Sequence, residues 1–300
     1  MFCARQEKQQ DKAPSFVPVL YRNDAGQMRA DEAFYSRDMT MREAELDHLC
    51  SLAEAAGREV MAVYRSDFAS WAKEDGSPLT QADLRADAAI RAGLQAAFPG
   101  VFILSEESSS AAGGGGDLFF LVDPLDGTRE FLQRNDEFTV NIALIRDGRP
   151  VAGVVLAPAL GELFYAAQGL GAWKRVAAEV TALRAAPAPA GTALRVIGSR
   201  SHGGAAQAAW LERLPGEYSF VAAGSSLKFC RLAEGRADLY PRLGPTCQWD
   251  TAAGQAVLEQ AGGVVLDARG QPLRYGVERP VLNPHFVALR DPQLTHPPIA

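Results

Sequence analysis

Apolar residues recur at steps of three and four along the first third of the chain. From Glu43 onward they follow the period of an amphipathic α-helix, at Leu46, Leu49, Cys50, Ala53, Ala56, Val60 and Tyr64. A second helix is predicted from Thr80 to about Phe98, because Pro99 and Gly100 end the pattern. Both helices are therefore expected to pack one face against a core.

The middle of the chain changes to short apolar runs. These runs have strand length and are separated by turn residues; they read VFIL, LFFLV, FTVNIALI, VAGVVLAP and ELFYAA. Beyond a Pro/Ala-rich joint at 184–192, strand and helix patterns alternate, with helices near 205–214, 226–235 and 251–261. Such alternation predicts a layered α+β or α/β fold.

Composition divides the chain into three stretches. Residues 1–40 are polar and without a helical or strand period, so we expect a flexible N-terminal extension or an early start codon before Met41. The joint predicts an N-terminal α+β subdomain over 41–185, which would bind metal, and a C-terminal α/β subdomain over 186–300.

Charge and cysteine content exclude several classes of protein. A net charge of −6 speaks against a nucleic-acid binder, which needs a basic surface. Four scattered cysteines without a C-x-x-C pair fit a reducing compartment. The N-terminus has no apolar signal-peptide region, and no apolar run has the length of a membrane span. We therefore expect a soluble, cytoplasmic protein.

The candidate chemistry centres on the segment DPLDGT at 123–128. Asp123 follows a predicted strand and would lie at its carboxyl end, where open α/β sheets place ligands. Pro124 stiffens the chain, so that Asp123 and Asp126 can face one point. Because Asp, Pro and Gly are also the commonest turn residues, these six residues alone indicate a turn and a ligand site equally.

Three further acidic segments bear on this choice. Glu106 and Glu107 follow another predicted strand; alone they are a solvated loop, but beside other carboxylates they need a compensating cation. Asp83 has the spacing of a capping box with a preceding threonine. Asp250 directly precedes a predicted helix and makes a good N-cap. Spacing by itself assigns neither Asp83 nor Asp250 to a site.

A metal bound by these segments would be a hard cation. They contain no histidine or cysteine, and oxygen ligands select Mg²⁺, with Mn²⁺ tolerated. Gly127 and Thr128 open the next predicted helix, and the free N–H groups of helix N-termini bind phosphate. Together these features indicate metal-assisted phosphoryl chemistry.

The motifs DPLDGT, SEES and WDTAAG resemble the signature motifs of the inositol monophosphatase superfamily, over about 41–290. Longer stretches most resemble its bacterial 3′(2′),5′-bisphosphate nucleotidases: DGTREFLQRNDEFTVNIALI, GSSLKFCRLAEGRADLYPRLGPT and WDTAAGQAVLEQAGG. The resemblance implies a layered αβαβα sandwich with the site between its two halves. It also implies two or three Mg²⁺ ions, which Mn²⁺ replaces, and inhibition by Li⁺.

The resemblance further implies a set of metal ligands. Glu106, Asp123 and the Leu125 carbonyl would bind the first ion. Asp123, Asp126 and Asp250 would bind the second.

Catalytic roles follow from the same resemblance. Glu106 and Thr128 would orient the attacking water, and Asp83 would lie near a third, loosely held ion, so that capping is not its sole expected role. Glu107 would be either a partner of these groups or a solvated neighbour.

The second half of the chain bears on the substrate. The segment 224–226 follows a strand and opens a helix, which predicts an anion-binding helix cap, with Lys228 in the first turn. A lone Lys or Arg is usually ordinary surface, but in the resembling nucleotidases such positions hold the phosphate that is not cleaved. The residues expected to contact the substrate are Gly127, Thr128, His202, Ser225, Lys228, Arg242 and Asp250.

The leading hypothesis is a Mg²⁺-dependent 3′(2′),5′-bisphosphate nucleotidase linked to sulfate assimilation. It would convert adenosine 3′,5′-bisphosphate to AMP, and 3′-phosphoadenylyl sulfate to adenylyl sulfate. The alternatives are an inositol monophosphatase or broad sugar-phosphate phosphatase and, in another class, a regulatory binding protein without turnover. The expected partner is a small nucleotide bisphosphate, with no nucleic acid. A homodimer and peripheral attachment to the cytoplasmic face of the inner membrane occur among related proteins.

Overall fold

The computed structural model describes residues 20–22, 28–30, 41–72, 78–108, 116–186, 191–199 and 204–299. The chain forms two compact units, Met1–Met39 and Thr40–Ala300. In the first unit, strand β1 (Leu20–Arg22) pairs antiparallel with β2 (Met28–Ala30), although the sequence predicted no strand there. The other residues of 1–40 lie outside the described part, so the flexible extension stays a prediction.

The second unit begins with the two predicted helices, α1 (Glu43–Tyr64) and α2 (Gln81–Ala97). Between them β3 (Ser70–Ala72) pairs antiparallel with β4 (Pro78–Thr80). The capping box predicted at the start of α2 is confirmed, because the Asp83 carboxylate accepts a hydrogen bond from the Thr80 N–H over 2.7 Å.

Within the described residues, seven strands form the first sheet. They are β5 (Phe102–Ser105), β6 (Leu118–Asp126), β7 (Thr139–Arg146), β8 (Arg149–Ala157), β9 (Glu162–Ala167), β10 (Gly171–Val176) and β11 (Glu179–Ala182). Their order is β11-β10-β9-β8-β7-β6-β5, with β5 and β6 parallel and the other neighbours antiparallel. The sequence did not predict β10 and β11.

The described strands of the second half form a five-stranded sheet. They are β12 (Leu194–Ser199), β13 (Tyr218–Ala223), β14 (Leu239–Arg242), β15 (Val264–Asp267) and β16 (Phe286–Leu289), in the order β13-β12-β14-β16-β15. The helices of this half are α4 (Ala205–Leu211), α5 (Leu227–Ala233) and α6 (Gln248–Ala261), and the short α3 (Thr128–Leu132) follows β6. The sequence missed β16, which pairs with both β14 and β15.

The described elements stack as helix, sheet, helix, sheet, helix. Helices α1 and α2 pack on one face of the first sheet, and α6 packs on its other face against β6 to β9. Helix α5 packs against α6 and the second sheet. Trp210 of α4 shares a cluster with Val287 and Leu289 on the outer face of that sheet, whereas Phe286 and Ala288 point to the inner core. This is the expected αβαβα sandwich.

Residues of both halves build the inner core. Phe119 and Ile145 of the first sheet belong to the same buried cluster as Tyr240 and Phe286 of the second. The predicted subdomain boundary at 185/186 coincides with the passage from one sheet to the next, and as a division into domains it stays a prediction. Among the described residues, none of the helices combines the length and apolar character needed to cross a membrane.

Candidate active site

Parallel pairing of β5 and β6 places their carboxyl ends side by side. Glu106 directly follows β5, and its N–H donates to the Val122 carbonyl over 3.1 Å. Asp123 is the next residue along β6. The register between β6 and β7 then shifts between Asp123 and Asp126, where Pro124 has no N–H to donate to the ladder. The proline therefore interrupts the strand where the acidic residues stand.

A cleft of about 360 Å³ opens at this point. Most of the predicted site residues line it: Glu106, Asp123, Leu125, Asp126, Gly127, Thr128, Ser225, Lys228, Arg242 and Asp250. Asp83 is absent from the described residues that line the cleft, and its predicted place near a third ion stays a prediction. His202 lies outside the described residues.

Three aspartates in the cleft, Asp123, Asp126 and Asp250, carry raised pKa values. Burial raises the pKa of Asp123 well above its usual range, and repulsion from Glu106, Asp126 and Asp250 raises it further. Burial also raises the pKa of Asp126 to about 6, although Lys228 opposes the shift. Asp126 and Asp250 keep some contact with solvent, whereas Asp123 is buried, so desolvation is most complete at Asp123. The cleft concentrates negative charge that protein groups only partly compensate.

Each aspartate is held by a backbone amide. Asp123 Oδ1 accepts a hydrogen bond from the Leu125 N–H over 3.1 Å, and Asp126 Oδ2 accepts one from the Ser226 N–H over 2.7 Å. In the part of the chain that the structure describes, no three Asp, Glu, His or Cys side chains are gathered closely enough to hold a metal ion as they stand.

Asp250 occupies a different position in its helix from the predicted one. Helix α6 begins at Gln248 with Cys247 as its N-cap, so Asp250 is the third helical residue and not the cap. Its Oδ2 accepts a hydrogen bond from the Cys247 N–H over 2.9 Å. Burial raises the pKa of Asp250 well above its usual range, and the largest repulsive contribution comes from Asp126. Asp250 therefore joins the acidic cluster from the second half of the chain.

The donors in the cleft fit a hard divalent cation. Every candidate ligand is an oxygen, and the set comprises the carboxylates of Glu106, Asp123, Asp126 and Asp250 and the carbonyl of Leu125. Oxygen donors of this kind suit Mg²⁺. A divalent cation would also neutralise the repulsion that helps to raise the pKa values of the three aspartates.

The turn after β6 needs a glycine. Gly127 has a φ of +89°, a left-handed conformation that costs other residues energy. A Cβ at this position would lie 3.3 Å from Glu130 Oε2 and 3.4 Å from the Ser225 Cβ. Next to it, the Thr128 hydroxyl donates to the Leu125 carbonyl over 3.3 Å. The turn thus brings the segment around Ser225 close to the acidic cluster.

Lys228 places a buried ammonium group against the cleft. Its side chain is 4% exposed, and Nζ donates to the carbonyls of Ala223 and Ser225. Burial lowers the pKa of Lys228 to about 8, Asp126 opposes that shift, and Arg242 adds to it. A buried cation needs partners, so this position differs from an ordinary surface lysine.

Arg242, the last residue of β14, is a second buried cation. Its guanidinium donates to the Gly244 carbonyl over 3.1 Å and to the Pro245 carbonyl. Both Arg242 and Lys228 line the cleft that the acidic residues line. One cleft therefore combines clustered carboxylates with two buried positive charges.

The segment before α5 differs from the predicted anion-binding cap. The Gly224 N–H donates to Glu137 Oε2 over 2.9 Å, and the Ser226 N–H donates to Asp126 as described above. These two amides therefore already bind carboxylates. Ser225 has a φ of 43°, and among the described residues its Oγ is a buried atom without a hydrogen-bond partner. Because buried polar groups normally have a hydrogen-bond partner, the Ser225 hydroxyl stands out among the groups that line the cleft.

An αβαβα sandwich with this acid-lined cleft defines a phosphatase of the inositol monophosphatase class. The sequence model of the Inositol monophosphatase family matches residues 41–295, and the chain belongs to this family. It is 46% identical over 250 residues to the 3′(2′),5′-bisphosphate nucleotidase CysQ of Escherichia coli (strain K12), an alignment that covers 80% of this chain and 98% of that protein.

Similarity to solved structures supports the assignment of the chain to this family. CysQ from Bacteroides thetaiotaomicron, described as a bacterial member of the inositol monophosphatase family, aligns with a TM-score of 0.73 and 36% identity, over 82% of this chain and 97% of that chain. The IMPase of Thermotoga maritima aligns with a TM-score of 0.66 and 26% identity, over 82% of this chain and 92% of that chain.

Sequence reasoning missed the polar residues that contact Asp126. Asn141 donates to Asp126 Oδ2 over 3.4 Å, and the Thr139 and Ser226 hydroxyls lie 2.8 Å apart. Thr139 and Asn141 stand in the otherwise apolar run FTVNIALI. The sequence could have indicated these residues, because a polar group inside a strand that is buried on both faces needs a specific hydrogen-bond partner.

Proposed function

We propose that this protein is a Mg²⁺-dependent 3′(2′),5′-bisphosphate nucleotidase that hydrolyses adenosine 3′,5′-bisphosphate to AMP and phosphate. The observation that carries the proposal is the pairing, in one cleft, of clustered carboxylates with the buried cations Lys228 and Arg242. The similarity to the CysQ nucleotidases supports it. 3′-Phosphoadenylyl sulfate is proposed as a second substrate, which would link the enzyme to sulfate assimilation.

The acidic wall of the cleft would hold the metal ions. Glu106, Asp123 and the Leu125 carbonyl are the proposed ligands of one ion, and Asp123, Asp126 and Asp250 of another. Two or three Mg²⁺ ions, when bound, supply charge neutralisation and a readily deprotonated water. Mn²⁺ would substitute and Li⁺ would inhibit.

The protein's own groups would orient the attack. The Thr128 hydroxyl gives its hydrogen to the Leu125 carbonyl, so its oxygen is left as an acceptor for a water hydrogen. Glu106 projects from the adjacent strand end and would accept another hydrogen of the same water. Two fixed acceptors orient the water, and holding the reacting groups in place is a large part of catalysis.

The cationic wall would bind the phosphate that is not cleaved. Lys228 and Arg242 are held by backbone carbonyls, so both are oriented before substrate arrives. An ammonium group has three donors, and two of those of Lys228 are directed to the carbonyls of Ala223 and Ser225. The third would bind a phosphate oxygen, and the Ser225 hydroxyl would contribute a further hydrogen bond.

A panel of phosphate-release assays tests this function. The substrates are adenosine 3′,5′-bisphosphate, its 2′,5′ isomer, 3′-phosphoadenylyl sulfate and inositol monophosphate, each with and without Mg²⁺ and Li⁺. Lys228→Met keeps the length of the buried side chain and removes its charge. We expect kcat/KM for the bisphosphates to fall about 100-fold, the size of a lost buried charge-assisted contact of about 3 kcal/mol.

Inositol monophosphate provides the control, because it has no second phosphate. Because Lys228 also favours the charged form of Asp126, hydrolysis of inositol monophosphate should fall in Lys228→Met, but by much less than that of the bisphosphates. If the parent protein hydrolysed inositol monophosphate as fast as the bisphosphate, the alternative of an inositol or sugar-phosphate phosphatase would be favoured. The structural similarity to the Thermotoga maritima IMPase is the observation that supports this alternative. The homodimer and the peripheral attachment to the inner membrane stay predictions.

A further inference from the structure

A closed ring of hydrogen bonds joins Asp126 to β7 and to the residue before α5. The Ser226 N–H donates to Asp126 Oδ2 over 2.7 Å, and Asn141 Nδ2 donates to the same oxygen over 3.4 Å. The Ser226 hydroxyl donates to Asn141 Oδ1 over 2.7 Å, which closes the ring. Three segments that are distant in sequence therefore meet at one carboxylate oxygen.

The chemistry of the groups fixes the direction of every hydrogen bond in the ring. Asn141 Oδ1 is only an acceptor, so Ser226 gives it its single hydroxyl hydrogen. The Thr139 hydroxyl, 2.8 Å from the Ser226 oxygen, must then be the donor of that pair. With its oxygen turned to Ser226, the Asn141 amide presents its NH₂ to Asp126. One arrangement of hydrogens satisfies all of these contacts.

The hydroxyl and amide groups around Asp126 Oδ2 are closed to solvent, whereas Asp126 itself keeps some contact with it. Thr139, Asn141 and Ser226 are at most 1% exposed. Water therefore cannot replace a partner that is lost by substitution, and hydrogen bonds in such an environment are strengthened by the low dielectric. The orientation of the Asp126 carboxylate is consequently set by the ring.

We propose that Asn141 and Ser226 are positioning residues that orient Asp126 as a metal ligand. Both donors bind Oδ2, which leaves Oδ1 to bind an ion in the cleft. The inference rests on the proposed metal-dependent function and adds residues that hold the ligand. Partners that hydrogen-bond to metal ligands fix the orientation of those ligands, and their loss typically lowers metal affinity 10- to 100-fold.

The same ring connects the metal ligand with the cationic wall. Ser226 is the N-cap of α5, the helix whose first turn contains Lys228. Ser226 therefore links the carboxylate of Asp126 directly to the start of the helix that contains Lys228.

Mn²⁺ binding to the full-length protein, followed by the electron paramagnetic resonance signal of the free ion, tests the positioning role without an activity assay. Asn141→Leu removes both hydrogen bonds of the amide at nearly constant volume, and we expect Mn²⁺ affinity to fall about 10-fold. Thr139→Val should give a smaller loss in the same direction. Thr139→Ser keeps the hydroxyl and should bind Mn²⁺ as the parent does.

Val287→Ala serves as a control for general destabilisation. Val287 is buried on the outer face of the second sheet, so its truncation should lower Tm and leave Mn²⁺ affinity unchanged. If Asn141→Leu folds and binds Mn²⁺ within about twofold of the parent, the positioning role is wrong while the metal site stands. If Asn141→Leu fails to fold, Thr139→Val against Thr139→Ser decides the question. If the parent protein binds no Mn²⁺, both the proposed function and this inference are wrong.

Discussion

At the scale of single residues, burial and charge act against each other at Asp126. Burial favours the neutral carboxylic acid, whereas the nearby Lys228 ammonium favours the carboxylate, and the resulting pKa is about 6. At neutral pH most Asp126 side chains are therefore charged. This lowers the free energy of unfolding, and other interactions in the folded protein must offset the loss. A residue kept charged in this way is suited to bind a cation.

Asp126→Asn tests whether that charge is needed. The amide oxygen can still accept hydrogen bonds from Ser226 and Asn141, so the variant should fold, with a Tm in EDTA no lower than that of the parent. Metal-dependent phosphate release should fall more than about 100-fold, since a ligand is lost and not only a partner of a ligand. A phosphate assay and thermal denaturation measure the two effects. A cellular role that survived this substitution would support the regulatory binding protein instead.

At the scale of elements, the turn between β6 and α3 brings two segments of the site together. Gly127 supplies the left-handed residue, and its missing Cβ lets the segment around Ser225 approach the turn. The interrupted pairing between β6 and β7 gives Asp123 and Asp126 their places in the cleft. Backbone conformation at one element boundary therefore determines how the carboxylates and the cationic wall face each other.

Gly127→Ala should consequently lower both stability and activity. The left-handed conformation costs a non-glycine residue about 1–2 kcal/mol, and the new Cβ would also lie 3.3 Å from Glu130 Oε2 and from the Glu137 carbonyl oxygen, which is a tight contact. Gly100 is a matched control, because its φ is +86° and an added Cβ meets nothing within 4 Å. Gly100→Ala should lower Tm because it introduces a similar backbone strain, and it should leave kcat/KM unchanged. Equal kcat/KM in the two variants would show that the turn has no influence on the site.

At the scale of the whole molecule, α6 lies between the two sheets and starts at the cleft. Its close approach to β8 depends on Gly153, where a Cβ would lie 2.5 Å from the Ala253 carbonyl oxygen. This packing brings Asp250, from the second half of the chain, to the acidic residues of the first half. The acidic cluster is thus a property of the assembled sandwich, and its repulsion acts on the stability of the whole fold.

Stability should therefore depend on pH and Mg²⁺ together. The pKa of Asp126 is higher in the folded protein, about 6, than its ordinary value of 3.8, so the folded state binds more protons between these values. Without metal, the contribution of Asp126 to the free energy of unfolding falls as the pH rises from 3.8 to about 6. The loss is at most about 3 kcal/mol. Asp123 and Asp250 act in the same direction.

Mg²⁺ replaces the protons as counter-charge, so it should raise Tm more at about pH 7.5 than at about pH 5. Thermal denaturation in EDTA and in saturating Mg²⁺ at both pH values measures the difference. An equal Mg²⁺ effect at the two pH values would contradict the assignment of these carboxyl groups as ligands.

The sequence by itself determined the first two helices, the strands that lead to the site and the position of Asp83 at the start of α2, whereas Asp250 is the third residue of α6 and not its predicted cap. The period of α1, the capping box at Thr80 and the strand that leads into Asp123 depend on neighbours within a few residues, and such preferences can be read from the chain. It also indicated that Glu106 and Asp123 lie on adjacent strands, which the parallel pairing of β5 and β6 confirms, although β6 continues past Asp123 to Asp126.

Only the tertiary structure decided which distant groups meet. The contact of Ser226 with Asp126 spans a hundred residues of chain, and the burial of Lys228 and Arg242 follows from how α5 and β14 pack beneath the cleft. Strand β16 was missed because its place between β14 and β15 is set by non-local pairing. Such contacts depend on the packing of the whole sandwich, since no local preference specifies a partner so far away in the sequence.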